Sequence, residues 1–176
     1  MPDINFDYHP QFFTATILNW QKLLIEDDFK DIIIDSLLYL KKEGSIVIYA
    51  FVIMPNHLHL IWQIQDGYKR GSIQLRFLKY TAQKMKFRLI DTQDTRLNKF
   101  KVNSTDREYQ FWERNSLSVD LWTPTVLVQK LDYIHSNPLQ DKWQLAELPE
   151  QYKYSSANFY ETGIDSFGLL THHSGN

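Results

Sequence analysis

His57 and His59 stand at i and i+2 in the run His57-Leu58-His59-Leu60-Ile61-Trp62-Gln63-Ile64. On a strand this spacing puts both imidazoles on one face, with Cα atoms roughly 6–7 Å apart, so that they can converge on one cation. The same pattern also suits two partly exposed, hydrogen-bonded imidazoles. A second set lies downstream. Tyr133 and Asn137 are four residues apart and share a helix face with Lys130 and Val126. A tyrosine hydroxyl can act as a covalent nucleophile, but its free pKa of about 10 leaves it mostly neutral, so it needs a cation, a base or a polarised electrophile nearby. Asn137 offers a carbonyl oxygen as a third ligand, and the negative end of a helix favours a cation there. Read singly, Tyr133 is one of ten tyrosines and Asn137 is a helix stop before Pro138. His135 lies two residues from Tyr133, faces elsewhere and receives no role. His172 and His173 are expected to be solvated in a terminal tail.

Composition narrows the chemistry. With no Cys in 176 residues there is no disulfide, no thiolate nucleophile and no Cys-based metal site. No apolar run approaches the ~20 residues of a membrane span, and Met1-Pro2-Asp3-Ile4-Asn5 lacks the basic start of a leader, so a cytoplasmic location is expected. One domain with a core over about 10–160 and a tail over 161–176 is the expected organisation. The net charge of −2 conceals a division along the chain. Residues 1–68 carry −5, residues 69–107 carry +8 and residues 108–176 carry −5. A basic block of that size suits a polyanion, or equally a solvated helix face followed by a basic loop.

The elements that must position these residues follow from periodicity. Phe12 to Leu18 is β-branched and aromatic and reads as a strand. Asp27 or Asp28 caps a helix carrying Phe29, Ile32, Ile33, Leu37 and Leu40 on one face, with Gly44 as its left-handed stop. Ile46 to Val52 is a nearly unbroken apolar run, as in a mid-sheet strand. Pro55-Asn56 makes a tight turn, and the His57–Ile64 strand turns Leu58, Leu60, Trp62 and Ile64 toward the helices. A second helix, with Ser72 as its cap, buries Leu75, Leu78, Ala82, Met85 and Leu89, and exposes Arg76, Lys79, Gln83 and Lys86. Residues 91–107 read as a long polar loop, and 109–122 as a strand with a bulge or a short hairpin. Core packing is expected for Trp112 and Trp122. Thr123-Pro124 opens a third helix, which Pro138 ends by pushing Asn137 out of the α region. Short helical pieces and a frayed tail follow. The order predicts an α+β ferredoxin-like sandwich: an antiparallel sheet, two helices on one face, and the Tyr133 helix available to the other.

Three strings carry a resemblance: Tyr49-Ala50-Phe51-Val52-Ile53-Met54-Pro55-Asn56-His57-Leu58-His59-Leu60-Ile61-Trp62, Tyr133-Ile134-His135-Ser136-Asn137-Pro138 and Tyr152-Lys153-Tyr154-Ser155-Ser156. Together they resemble the single-tyrosine HUH transposases, and most resemble the REP-associated tyrosine transposase branch, over about residues 10–160. The resemblance implies a ferredoxin-like core and a metal-dependent single-stranded DNA strand transferase. His57 and His59 match the metal ligands, Tyr133 the nucleophile, and Asn137 the polar residue one turn later, where related transposases often carry Gln. It further implies Mg²⁺ or Mn²⁺, a 5′-phosphotyrosine intermediate and a hairpin-containing DNA partner. Arg76, Lys79, Lys86 and Lys130 are expected along the DNA backbone. Monomer and homodimer both remain open, as does a homologue that cuts a host repeat without mobilising itself. A non-catalytic nucleic-acid-binding module is the other reading, yet His57, His59, Ile61 and Gln63 form no aromatic platform. A zinc hydrolase is disfavoured because no HExxH helix is present.

Overall fold

The computed structural model describes residues 9–175, so the Met1–Asn5 start read above for a leader lies outside the described residues. Its strands are β1 (Gln11–Thr16), β2 (Ile46–Ile53), β3 (His57–Ile64) and β4 (Leu117–Asp120). They form one antiparallel sheet in the order β2-β3-β1-β4. Helices α1 (Asp27–Glu43) and α2 (Arg70–Asp91) supply buried residues to the core on one face. Helix α3 (Pro124–Ser136) packs Leu127, Leu131 and Ile134 against Phe12, Ala50, Val52 and Ile61 on the other. This is the expected ferredoxin-like sandwich with the Tyr133 helix on the second face. Among the described residues no helix is long and apolar enough to cross a membrane.

The two faces of β3 sort as its alternation predicts. Leu58, Leu60, Trp62 and Ile64 enter the core beneath α1 and α2, and Ile61 meets α3. Within that core Phe13, Trp62 and Phe77 are fully buried. Trp62 stacks on Phe13 at 5.0 Å between ring centroids and meets Phe77 edge-on at 5.9 Å. These three rings tie β1, β3 and α2 together. Phe77→Ala removes the helix's share and leaves a cavity, so we expect a loss of about 3–5 kcal/mol, read as a lowered urea midpoint. An unchanged midpoint would mean that α2 can reseat without this ring.

β2 lies at the sheet edge, not in mid-sheet. Its unbroken apolar run has two other causes. A bulge between Ile48 and Ala50 reverses the alternation, so that Ile46 and Ile48 before it, and Phe51 and Ile53 after it, all face the same core. The outer edge is also covered by the C-terminal segment. The Ile53 amide donates to the Tyr154 carbonyl, and the Ser156 and Thr171 amides donate to the Phe51 and Ile48 carbonyls. That segment is therefore not a frayed tail. It holds a short helix, α4 (Ala157–Thr162), and buries Leu169 completely.

Other local expectations shift as well. Helix α1 starts after Glu26, without the side-chain cap expected from Asp27 or Asp28, while Gly44 does close it at φ +83°. Helix α2 begins at Arg70 rather than after Ser72, and its buried stripe is Ile73, Phe77, Thr81, Met85 and Leu89, leaving Leu75 exposed. Within 91–107, Thr95–Phe100 forms a 3-10 turn that Asp94 caps and Phe100 anchors in the core. Trp112 is buried and donates its indole N–H to the Thr81 hydroxyl. Trp122, by contrast, is exposed beside the His9 ring.

Candidate active site

β1 and β3 set the floor of the site. Their register places Thr14 opposite His59 and Thr16 opposite His57. The Thr14 hydroxyl lies 2.7 Å from His59 Nδ1, and His57 Nδ1 lies 2.7 Å from Asn56 Oδ1. Both rings are thus oriented through Nδ1, and their centroids stand 4.9 Å apart. With the Asn56 oxygen accepting, His57 carries its proton on Nδ1 and keeps an Nε2 lone pair.

Helix α3 forms the wall. The Thr123 hydroxyl accepts from the Val126 amide and Pro124 occupies the first turn, as expected for its start. The apolar stripe seats the helix on the sheet, which brings Tyr133, just beside that stripe, to 5.4 Å from the His59 ring and 6.0 Å from Phe12. Tyr133 remains 44% exposed, so its ring edge and hydroxyl face solvent. Asn137 keeps α-helical angles (φ −54°, ψ −45°) despite the following Pro, and a 3-10 turn over Asn137–Leu139 carries the chain on. The restriction before proline is a preference, and here the buried Pro138 and Asn137 override it by packing. Asn137 therefore stays on the helix, one turn beyond Tyr133 and beside His57.

Burial sets the electrostatics. His57 and His59 are 8% and 6% exposed. Loss of solvation pushes His57 down to about 4, with Asn137 opposing the shift and Lys142 adding to it. Burial, the His57 ring and Lys130 push His59 down to about 3. Both rings are thus neutral at pH 7 and able to ligate a cation without first losing a proton. In the unfolded chain they titrate at the ordinary 6.5. Their folded values lie below that, so stability is full above 6.5 and falls as the pH drops toward 4. From pH 7 to pH 5 we expect about 2 kcal/mol lost per imidazole, seen as a falling urea midpoint. A midpoint independent of pH over that range would show that the rings take up protons in the fold as readily as in the unfolded chain.

His57, His59 and Asn137 form a donor set of two imidazoles and one amide oxygen. Asn137 Oδ1 is buried beside His57 and, among the described residues, makes no hydrogen bond of good geometry, so its lone pairs are available to a cation. Among the described residues no group of three or more His, Cys, Asp or Glu could hold a metal, so an ion here depends on that amide.

A basic and aromatic rim surrounds the set. Lys130 lies over the Phe12 and Tyr133 rings, at 4.8 and 5.8 Å from their centroids. Trp143 stands 5.9 Å from His57, with Lys22 and Lys142 over its ring. Among the described residues, none of Lys22, Lys130 and Lys142 has an ion-pair partner. Nothing local in the sequence marks Trp143, Lys22 or Lys142, which come together only through the turns after β1 and α3.

The other expected DNA contacts lie elsewhere. Arg76, Lys79 and Lys86 sit on α2, across the sheet from the histidines. Arg76 makes a two-pronged pair with Glu43. Lys79 and Lys86 instead line a groove between α2 and residues 106–116. Much of the basic block is neutralised by the acidic flanks of the chain: Arg70 pairs with Asp120, Arg88 with Asp28 and Arg96 with Glu26. His135 turns away from the site, as expected, with Nε2 2.8 Å from the Ser156 hydroxyl. His172 and His173 are not freely solvated but stack on each other and against Tyr160.

No protein-family model matches the sequence, and no curated protein matches it. Among solved structures, the chain is similar to a REP-associated tyrosine transposase bound to a REP hairpin, with a TM-score of 0.65 and 16% identity over 97% of this chain and 92% of that one. That likeness shows the fold. A presumed transposase from Deinococcus radiodurans R1 aligns with a TM-score of 0.48 and 14% identity over 76% of this chain and 95% of that one, too low to bear on the fold.

Proposed function

We propose that this chain is a metal-dependent strand transferase that cleaves and rejoins single-stranded DNA at hairpin or repeat sequences through a 5′-phosphotyrosine. The observation that carries the reading is the meeting, within one chain, of Tyr133 with His57, His59 and Asn137 around a buried amide oxygen that no described residue bonds. The hairpin-bound transposase of similar fold supports the same substrate class.

Tyr133 is suited to the nucleophile's place by its position beside His59, and four other tyrosines are set aside by their bonding. The hydroxyls of Tyr49, Tyr152, Tyr154 and Tyr160 are all held by internal hydrogen bonds. Burial raises all four, Tyr160 to about 12. Among the described residues the Tyr133 hydroxyl has no such partner, and the Lys130 ammonium near its ring favours developing negative charge. His57, His59 and Asn137 would hold Mg²⁺ or Mn²⁺. Such an ion, when bound, supplies Lewis-acid polarisation of a phosphate oxygen. The Tyr133 oxygen forms a bond to phosphorus while the bond to the 3′-oxygen breaks, and that oxygen leaves as a free 3′-OH. One phosphodiester is exchanged for another, so a second 3′-OH can reverse the step on a new strand without ATP. Lys22, Lys130 and Lys142 would steer the strand into the site.

The test is incubation of the protein with labelled single-stranded hairpin oligonucleotides from the flanks of its own gene, with Mn²⁺ or Mg²⁺ or with EDTA, followed by denaturing electrophoresis. A metal-dependent covalent adduct is expected. DNA that binds but is cleaved neither with metal nor without would favour a non-catalytic binding module.

A further inference from the structure

On the flank of the site the chain between β1 and α1 makes a turn that its sequence does not favour. Asn19 and Trp20 both adopt left-handed angles, at φ +53° and +58°. For a residue as bulky as Trp this conformation is costly, and it persists only where the surroundings enforce it. Here they do. Leu18 and Leu23 are buried on either side, the Asn19 amide donates to the Glu113 carboxylate at 2.6 Å, and the Trp20 amide donates to the Ile17 carbonyl. The strained turn holds an indole out in solvent, with Trp20 67% exposed.

Trp20 is also tied to the histidine pair. The Asn56 side chain donates Nδ2 to the Trp20 carbonyl at 3.4 Å and offers Oδ1 to His57 Nδ1. One amide thus positions both the turn and the ring. Beside Trp20 lies a concavity of about 340 Å³, lined by Trp20, Lys22, Leu23, Arg96, Lys99 and Phe100. Arg96 is neutralised by Asp94 and Glu26. Lys22 and Lys99, in contrast, have no ion-pair partner among the described residues. An exposed aromatic face with two ammonium groups outside any ion pair, tied to the histidine pair through Asn56, offers what one unpaired nucleotide requires: a plane for its base and cations for its phosphates.

We propose that this concavity is a subsite for a single unpaired nucleotide of the DNA strand, whose base stacks on Trp20 and whose phosphates lie against Lys22 and Lys99. The proposal rests on the single-stranded DNA reading and deepens it by naming what holds the strand beside the scissile phosphate. Duplex DNA keeps its base faces covered, so the subsite selects unpaired strand.

The experiment uses the full chain in EDTA, so that binding is read without cleavage. Oligothymidylates carrying one 2-aminopurine at successive positions are titrated with wild-type protein and with Trp20→Ala, Trp20→Phe and Lys99→Ala. We expect quenching of 2-aminopurine that peaks at one position, disappears in Trp20→Ala together with a roughly tenfold weaker affinity, and persists in Trp20→Phe. Lys99→Ala should lower the slope of log affinity against log salt by about 0.7. Equal quenching and affinity in wild type and Trp20→Ala would overturn the subsite while leaving the DNA reading intact. If the wild-type protein binds no single strand at all, the subsite and the DNA reading fall together.

Discussion

The Tyr133→Phe variant is expected to form no covalent adduct with DNA and to lose strand cleavage by several orders of magnitude, because it lacks the one oxygen that forms the phosphotyrosine bond. The loss should come without unfolding. Tyr133 is 44% exposed, and its contacts with Phe12 and His59 are made by the ring, which Phe retains. Its hydroxyl is engaged by no other described residue, so its removal leaves no buried group unsatisfied. A stability change within about 0.5 kcal/mol is expected. DNA binding should persist, since Lys22, Lys130 and Lys142 are untouched. The measurement is denaturing electrophoresis of labelled hairpin DNA alongside a binding titration. Cleavage that survives in this variant would remove Tyr133 from the nucleophile's place, and a shifted adduct would direct attention to another tyrosine.

Replacing both His57 and His59 with Ala should abolish metal-dependent cleavage and bring activity down to the level seen in EDTA. Two of the three donors are then missing, and Asn137 Oδ1 alone binds Mg²⁺ or Mn²⁺ too weakly to matter. Heat released on Mn²⁺ titration should vanish in the same variant, which separates lost binding from lost chemistry. The Thr14 hydroxyl and the Asn56 amide lose their imidazole partners, so a cost of about 1–3 kcal/mol for each is expected in the urea midpoint. His57→Gln and His59→Gln retain side-chain polar atoms and serve as folding controls. Wild-type cleavage that proceeds undiminished in EDTA would end the metal reading, whatever the variants do.

The candidate site was legible where local geometry alone places a residue. Two histidines at i and i+2 on a strand must share a face, and a strand with Leu58, Leu60, Trp62 and Ile64 on its other side must turn that other side to the core. Tyr133 and Asn137 share a helix face for a similar reason, and Thr123-Pro124 announces the helix. The strand and helix order was enough for the sandwich and for the face that α1 and α2 cover. Boundaries and partners were less legible. Periodicity places α2 but misjudges its buried stripe, because Leu75 and Ile73 are equally apolar and only the packing chooses Ile73. The β2 run reads as mid-sheet because a bulge and a covered edge produce the same apolar string as a strand between two others.

Charge shows the same division most clearly. A block of +8 along the chain suggests a basic surface, but charges act through space and not along sequence. Folding brings Glu43, Asp28, Glu26 and Asp120 from the acidic flanks onto Arg76, Arg88, Arg96 and Arg70. Among the described residues, the lysines without an ion pair around the histidines, Lys22, Lys130 and Lys142, come from three separate places: the connection between β1 and α1, helix α3, and the turn after it. The types and local spacing of His57, His59, Tyr133 and Asn137 are written in the chain, because helix and strand periods are short-range properties of the backbone. That these residues meet on one face of the sheet, near Trp143 and the strained Trp20 turn, follows only from the packing of α3 and the loops. The contacts that bring them together join residues far apart in sequence, and no local pattern encodes such contacts.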